Sequence, residues 1–309
     1  MSTTGAPSPK TLVYAGDHWL IVMGRVPNVG DHQHPAPAFC FGLDRPFEVR
    51  DPASGKLSRY ESLLVPTETR GPLIAAEGQA MAFVFLSAEH PAYYALRRWA
   101  CTAPIPGGVP AAEEMLALLR RVYREAPPFE TVQQGMEAIL AKVHGRQPDP
   151  RIRQALAALR RDDSGSLSLE AVARQVCLSP SRLVHLFKEE TGATFRRQRL
   201  WMRIMHSTTL ATRTRSLTDI ASAVGFSDLA HYSRTFRRVF GMKPTSIIRF
   251  DGSMLVYTER YRHCLGTPPL QSAAAQPVPW TLGSGSRQQG LAETGNRSVP
   301  GTRGGPPPH

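Results

Sequence analysis

Residues 168–192 and 216–241 are two copies of one pattern, and nothing else in the chain limits its fold so tightly. SLEAVARQVCLSPSRLVHLFKEETG begins at Ser168 and SLTDIASAVGFSDLAHYSRTFRRVFG at Ser216. Leu169, Val172, Ala173, Val176, Leu178 and Ser179 recur 48 residues later as Leu217, Ile220, Ala221, Val224, Phe226 and Ser227. Past the second serine the offset becomes 49, pairing Leu183, Phe187 and Gly192 with Tyr232, Phe236 and Gly241. One residue has been added near the start of the second copy's last helix.

Each copy spells two helices about a tight turn. Ser168 and Ser216 are natural N-caps, and Asp219 stands three residues after Ser216, where a capping-box acid belongs. Apolar residues follow at helical spacing. A three-residue turn then leads to a second serine cap, Ser179 or Ser227. Pro180 suits the first position of the next helix, and Gly192 and Gly241 suit its end. Such a unit is a helix-turn-helix, whose second helix can enter a DNA major groove.

Leu183, Leu186 and Phe187 form the inward stripe of the first such helix, and Tyr232, Phe236 and Phe240 that of the second. Ser181, Arg182, Val184 and His185 are left outward on one; Leu229, Ala230, His231 and Arg234 on the other. These eight are the candidate base readers. Arg234 best suits a bidentate guanine contact, and Val184, Leu229 and Ala230 suit thymine methyls. Lys188, Arg237 and Arg238 are candidate phosphate contacts, joined by Arg196 and Arg197 on the helix linking the units. That linker, from about Phe195 to Thr212, has Leu200, Ile204 and Leu210 as its expected core side.

Charge supports a polyanion partner. The net charge is +12, and residues 151–250 hold 18 Lys+Arg against 7 Asp+Glu, while the other 209 residues hold 19 against 18. The excess is nearly all arginine, whose planar fork suits phosphate and base edges. Plain solvation of helical surfaces is the competing reading of each arginine, and non-specific nucleic-acid binding that of the whole segment.

These residues resemble a known family. Residues 150–250, above all GFSDLAHYSRTFRRVFGMKP (225–244), are similar to the DNA-binding domain of AraC/XylS-type bacterial transcription regulators. The resemblance implies seven helices, double-stranded promoter DNA as partner, and activation through RNA polymerase. It places base contacts at Ser181, Val184, His185, Leu229, Ala230 and Arg234. Cys177 stands where that family commonly has glycine, Ser207 where it has a small alanine, and His185 where arginine is frequent.

The first ninety residues read differently. TLVY, HWLIVMG, PAFCFGL, PFEVR, YESLLVP, GPLIAA and AMAFVFL alternate with turn residues, which predicts an antiparallel sandwich or small barrel. This region looks like the cupin-type sensor barrel of many family members, which implies an unknown small-molecule effector. The expected fold class is therefore α+β: a cupin-like barrel over 1–95, a helical connector over 96–146, an all-α double helix-turn-helix domain over 147–250, and a mostly disordered Gly/Pro-rich tail over 251–309. Helices are expected at 111–125 and 129–143, either as core or as the interface of a homodimer.

Chemistry beyond binding has little support. His32 and His34 form an HxH, but Pro35, Ala36, Pro37 and Ala38 follow where a further ligand is needed, so no metal is expected. His32, His34 and Cys40 are instead the candidate effector-pocket residues. No GxGxxG, GxxxxGKS or GxSxG occurs, so neither a cofactor nor a catalytic residue is expected. A cupin-like metalloenzyme with an appended DNA-binding domain is the rival reading. Cys40, Cys101, Cys177 and Cys264 stand far apart, which suits a reducing cytoplasm. The N-terminus lacks the marks of a secretory signal, and no apolar run is long enough for a membrane span.

Overall fold

Segments such as WLIVMG in the N-terminal region are apolar at consecutive positions, the pattern of strands covered on both faces. The computed structural model describes residues 11–258 except 52, 53, 69, 100–104, 107–110, 163, 164, 212, 213 and 252. Strands β1 (Thr11–Ala15), β2 (Trp19–Val26), β3 (Ala38–Gly42), β6 (Ser62–Val65), β8 (Gln79–Leu86), β9 (Ile105–Pro106) and β10 (Met254–Thr258) form one sheet, ordered β10-β1-β2-β8-β3-β6-β9. A second sheet is ordered β5-β4-β7, from β4 (Phe47–Arg50), β5 (Leu57–Tyr60) and β7 (Leu73–Ala75).

The expected barrel is not closed. Among the described residues the two sheets stay separate, joined only through an isolated bridge between Val29 and Ile74. Nor is the larger sheet wholly antiparallel, because β10 pairs with β1 in parallel register, Thr11 opposite Met254 through Ala15 opposite Thr258. Residues 254–258, assigned from sequence to the tail, thus belong to the sheet. MLVYT is β-branched and aromatic enough to cover the edge of β1, and Tyr257 stacks on Tyr14 with centroids 4.4 Å apart. Of the rest of the expected tail, only Asp251 and Ser253 are among the described residues.

Helices cover one face of the large sheet and share the other with the small sheet. On one face Leu12, Ile21, Phe41 and Val84 join a cluster with α1 (Pro91–Trp99), α2 (Ala112–Glu125) and α3 (Phe129–Leu140). That cluster continues into α4 (Pro150–Arg161), α5 (Leu169–Gln175) and α6 (Pro180–Thr191) through Leu156, Val172 and Phe187. On the other face Val22, Cys40, Phe83 and Phe85 meet the small sheet. They also meet α7 (Phe195–Leu210), α8 (Leu217–Ala223) and α9 (Leu229–Phe240) through Trp201, Ile220 and Phe236. The sheet is a wall with one helix-turn-helix unit on either side.

The stripes of α2 and α3, including Met115, Leu119, Val132 and Met136, are buried inside the chain. They are core, and a second copy could use them only by unpacking them.

Local chemistry explains the helical units. Ser168, Ser179, Thr194 and Ser216 each accept a backbone N–H at the start of α5, α6, α7 and α8. The cap of α9 is Asp228, accepting from His231 N at 2.6 Å, rather than Ser227. The residue added in the second copy shifts the cap by one, so that Asp228 corresponds to Ser179. A 3₁₀ turn at Pro244–Ser246 follows α9 where the resemblance implies a seventh helix. In α7 the buried side is Trp201, Ile204 and Ser207, with Leu200 and Leu210 half-buried. Ser207, unexpected from the resemblance, lies 2.9 Å from the hydroxyl of fully buried Tyr232 and gives it a partner.

Cys177 holds φ 53° in the turn of the first unit, and Gly225 holds φ 77° in the turn of the second. A Cβ in that region crowds the following carbonyl oxygen. Cys177→Gly is therefore expected to stabilise the protein by about 1 kcal/mol, read as a Tm rise of a few degrees. A fall in Tm would show that contacts of the thiol outweigh the strain.

Candidate nucleic-acid interface

Burial divides the two second helices as their spacing predicts. Leu183, Leu186 and Phe187 face inward from α6, and Tyr232, Phe236 and Phe240 from α9, joined there by Thr235 and Val239. Ser181, Arg182, His185 and Lys188 are exposed on α6, with Val184 half-buried beside them. Ala230, His231, Arg234, Arg237 and Arg238 are exposed on α9. Leu229 is half-buried and packs on the second unit's core. His231 sits edge-on to Phe226, with Nδ1 3.4 Å from the Ser227 hydroxyl. Arg234 carries no such attachment among the described residues.

The connector arginines separate into different roles. Arg196 is exposed. Arg197, expected on phosphate, is instead held by the sheet domain: its Nε lies 3.1 Å from Glu68 Oε1, and its Nη1 donates to Gln33 Oε1 at 3.0 Å. Burial raises the Glu68 carboxyl above its ordinary pKa, and the Arg197 charge pulls it back. Arg199 donates to Leu167 O at 3.0 Å, and Arg203 to Val224 O at 2.5 Å while its guanidinium lies over the Phe226 ring. These two arginines staple α7 to the loops of both units.

Helix α1 and the loop around Gly30 also hold the C-terminal ends of the two second helices. Helix ends leave carbonyls without an intrahelical partner. On α6, Arg97 donates to Glu189 O and Glu190 O at 2.9 and 2.7 Å, and the Tyr93 hydroxyl to Thr191 O at 2.5 Å. A cation there also suits the helix dipole. On α9, Gln33 N donates to Arg238 O at 2.8 Å, and Gly30 N to Gly241 O at 2.9 Å. Only glycine fits at Gly241, where φ is 70° and a Cβ would fall 2.6 Å from Gly30 O. Sequence reasoning missed Gly30, Gln33, Tyr93 and Arg97, because nothing in their neighbours marks a contact so distant in the chain. The N-terminal turns, with which helix-turn-helix proteins in general contact the groove, are left uncovered by these bonds.

A helix-turn-helix domain model matches residues 172–249. The arabinose operon regulatory protein of Escherichia coli K12 is 35% identical over 112 residues, 36% of this chain and 38% of that protein. Over this stretch the chain is similar to AraC-type transcription regulators. The transcriptional activator RhaS of Escherichia coli O139:H28 is 37% identical over 98 residues, 31% of this chain and 35% of that protein. The chain thus spans little more than a third of the length of these relatives. ToxT from Vibrio cholerae O395 superposes with a TM-score of 0.49 at 12% identity, covering 74% of this chain and 96% of that one.

The candidate effector residues do come together. His32, His34 and Cys40 line a cavity of about 10 Å³, walled also by Phe240, Met242 and Ile247 of the helical domain. That is room for about one water. Burial, with the neighbouring His32, pushes His34 down to about 3, and its Nδ1 lies 2.5 Å from Ala36 O. Burial pushes the Cys40 thiol up to about 12. Both side chains stay neutral at ordinary pH. Among the described residues no three His, Cys, Asp or Glu side chains gather as metal ligands, and no helix is long and apolar enough to cross a membrane.

Proposed function

We propose that this chain is a sequence-specific, DNA-binding transcription regulator of the cytoplasm, with no catalytic step of its own. It reads promoter DNA through α6 and α9, activates by contact with RNA polymerase, and answers to a small effector in the sheet domain. The observation that carries this reading is the pair of capped second helices, exposed on their outward faces and held at their C-terminal ends by the domain expected to sense. Ser181, Arg182, Val184, His185, Leu229, Ala230, His231 and Arg234 are the proposed base readers; Lys188, Arg196, Arg197, Arg237 and Arg238 are the proposed phosphate contacts.

An effector needs a cavity of several hundred Å³. To enter between the sheets beside His32, His34 and Cys40, it must displace Phe240, Met242 and Ile247. That displacement moves the end of α9 and so changes the separation of the two reading heads. Selection of bound fragments from genomic DNA tests the central reading: a promoter site bound about a thousandfold more tightly than random duplex at matched salt is expected. Equal affinities would leave a non-specific binder. Stoichiometric iron, zinc or manganese in the purified protein would favour the metalloenzyme instead.

Arg197 reaches phosphate only after leaving Glu68. Glu68→Ala is expected to steepen the slope of log K against log salt by about 0.9, the increment for one more phosphate contact. An unchanged slope would remove Arg197 from the interface. A homodimer is also part of the proposal, through surfaces other than the buried stripes of α2 and α3. A single monomer in light scattering at high concentration would overturn it.

A further inference from the structure

Beside the reading helices lies a cleft of about 450 Å³, whose lining includes Arg196, Arg197, His231 and Arg238 from among the proposed DNA contacts. Arg196, Arg199, Leu200 and Arg203 recur along one face of α7, and His231, Thr235 and Arg238 along the facing side of α9. Gln33 and Pro35 of the sheet domain close the third side, and Trp201 and Val239 add apolar surface. With Arg197, five guanidinium groups line one cavity, and no carboxylate stands among the lining residues.

Little in the fold neutralises that charge. Arg197 has Glu68 as its counter-ion, whereas Arg199 and Arg203 spend their bonds on neutral carbonyls. Arg196 and Arg238 are exposed, with no ion pair among the described residues. Arg203 Nη2 is buried without a hydrogen-bond partner, and native structures rarely leave such a nitrogen unsatisfied. Burial and the adjacent Arg199 charge lower the Arg203 pKa, with a smaller opposing effect from Asp162. Crowded guanidiniums with an orphaned donor, beside apolar surface, suit an oxyanion that carries an apolar body.

We propose that the α7–α9 cleft binds a small organic oxyanion, a carboxylate or phosphate monoester with an apolar body, separately from the cavity at His32 and His34. Such a ligand would bridge the sheet domain's Gln33 to the connector and the second reading helix, and that regulatory consequence rests on the function proposed above. DNA backbone offers the same oxyanion chemistry, so the test must tell the two sources apart.

Titration calorimetry of the full chain without DNA, at constant ionic strength, uses phenyl phosphate and inorganic phosphate as probes. Saturable one-to-one binding of phenyl phosphate is expected, about tenfold or more tighter than inorganic phosphate because the ring is buried. R196Q/R238Q is expected to weaken it at least tenfold with an unchanged melting temperature, since both side chains are exposed. R182Q/K188Q, with the same loss of charge on α6, is expected to change it less than twofold. Absence of saturation, or equal weakening by both double variants, would overturn the site. If the two probes bind alike and random duplex displaces them, the cleft is a seat for DNA backbone and the small-ligand proposal falls. Because DNA is absent from the titration, failure to bind a promoter specifically would not affect this readout.

Discussion

Arg160→Met is expected to destabilise the protein by about 3 kcal/mol at neutral pH, the lower end of the cost of removing one partner from a buried ion pair. Arg160, on α4, reaches across to the sheet domain. Its Nε lies 3.3 Å from Glu89 Oε1, and its Nη1 donates to Asp17 Oδ1 at 2.5 Å. The Glu89 side chain is only 3% exposed, whereas Arg160 is 28% exposed; the lower end of the range applies because one partner keeps some water. Methionine preserves the stem and strands the carboxylate.

The pH dependence gives that prediction its sign. Burial raises the Glu89 pKa, Arg160 opposes the rise, Asp17 adds to it and Arg161 opposes it. Without Arg160 the folded-state value climbs further above the ordinary 4.5. Between those two values the folded protein binds more protons than the unfolded chain, so stability falls as pH rises. The deficit of the variant should be complete at neutral pH and should fade as pH drops toward 4.5. His18, with Nδ1 3.9 Å from Glu89, is kept from protonating mainly by burial, which the substitution leaves in place although it removes the second cause, the Arg160 charge, so His18 compensates only in part. Adding Glu89→Gln to Arg160→Met should recover most of the loss. Urea unfolding of the wild type, both single variants and the double variant measures that coupling. A deficit independent of pH, or no recovery, would mean that Arg160 acts through packing alone.

The parts of the fold that read directly from sequence are those governed by local chemistry. Serine caps, apolar spacing and terminal glycines act within a dozen residues, so both helix-turn-helix units could be placed before any tertiary contact was known. Even the misassigned cap follows this rule, since the change of offset already pointed to Asp228. What escaped depends on contacts between distant segments. Arg196 and Arg197 are neighbours of identical chemistry, and only the side of α7 that meets Gln33 and Glu68 separates them. Strand β5 escaped because an edge strand with Leu57 46% exposed has a weak apolar pattern. Strand β10 lies some 240 residues from its partner and beside a Gly/Pro-rich stretch, so composition pointed the wrong way. The barrel failed for a related reason: apolar runs report that both faces are covered but not whether strands or helices cover them.

On the proposed function, the same distinction between neighbouring arginines sets what α9 does on DNA. Arg234→Ala should weaken binding to a cognate promoter site by about 1–3 kcal/mol and relax preference at one base pair, because a lost bidentate base contact removes discrimination there. Arg237→Ala should weaken cognate and random duplex by similar factors and flatten the salt slope by about 0.9, because a phosphate contact releases counterions whatever the sequence. The geometry gives each expectation its basis. Arg234 is five residues past the first helical residue, Leu229, and is exposed, whereas Arg237 lies in the last turn before Gly241. Base edges are met by the N-terminal part of a reading helix. Neither side chain carries the fold, so melting temperatures should stay within about 1 °C of wild type, as for ordinary surface substitutions. Competition binding over a panel of single-base variants, repeated at several salt concentrations, measures both effects. If the two variants lose affinity with the same sequence profile and the same salt slope, α9 does not divide reading from anchoring, and the orientation assigned to it in the groove is wrong.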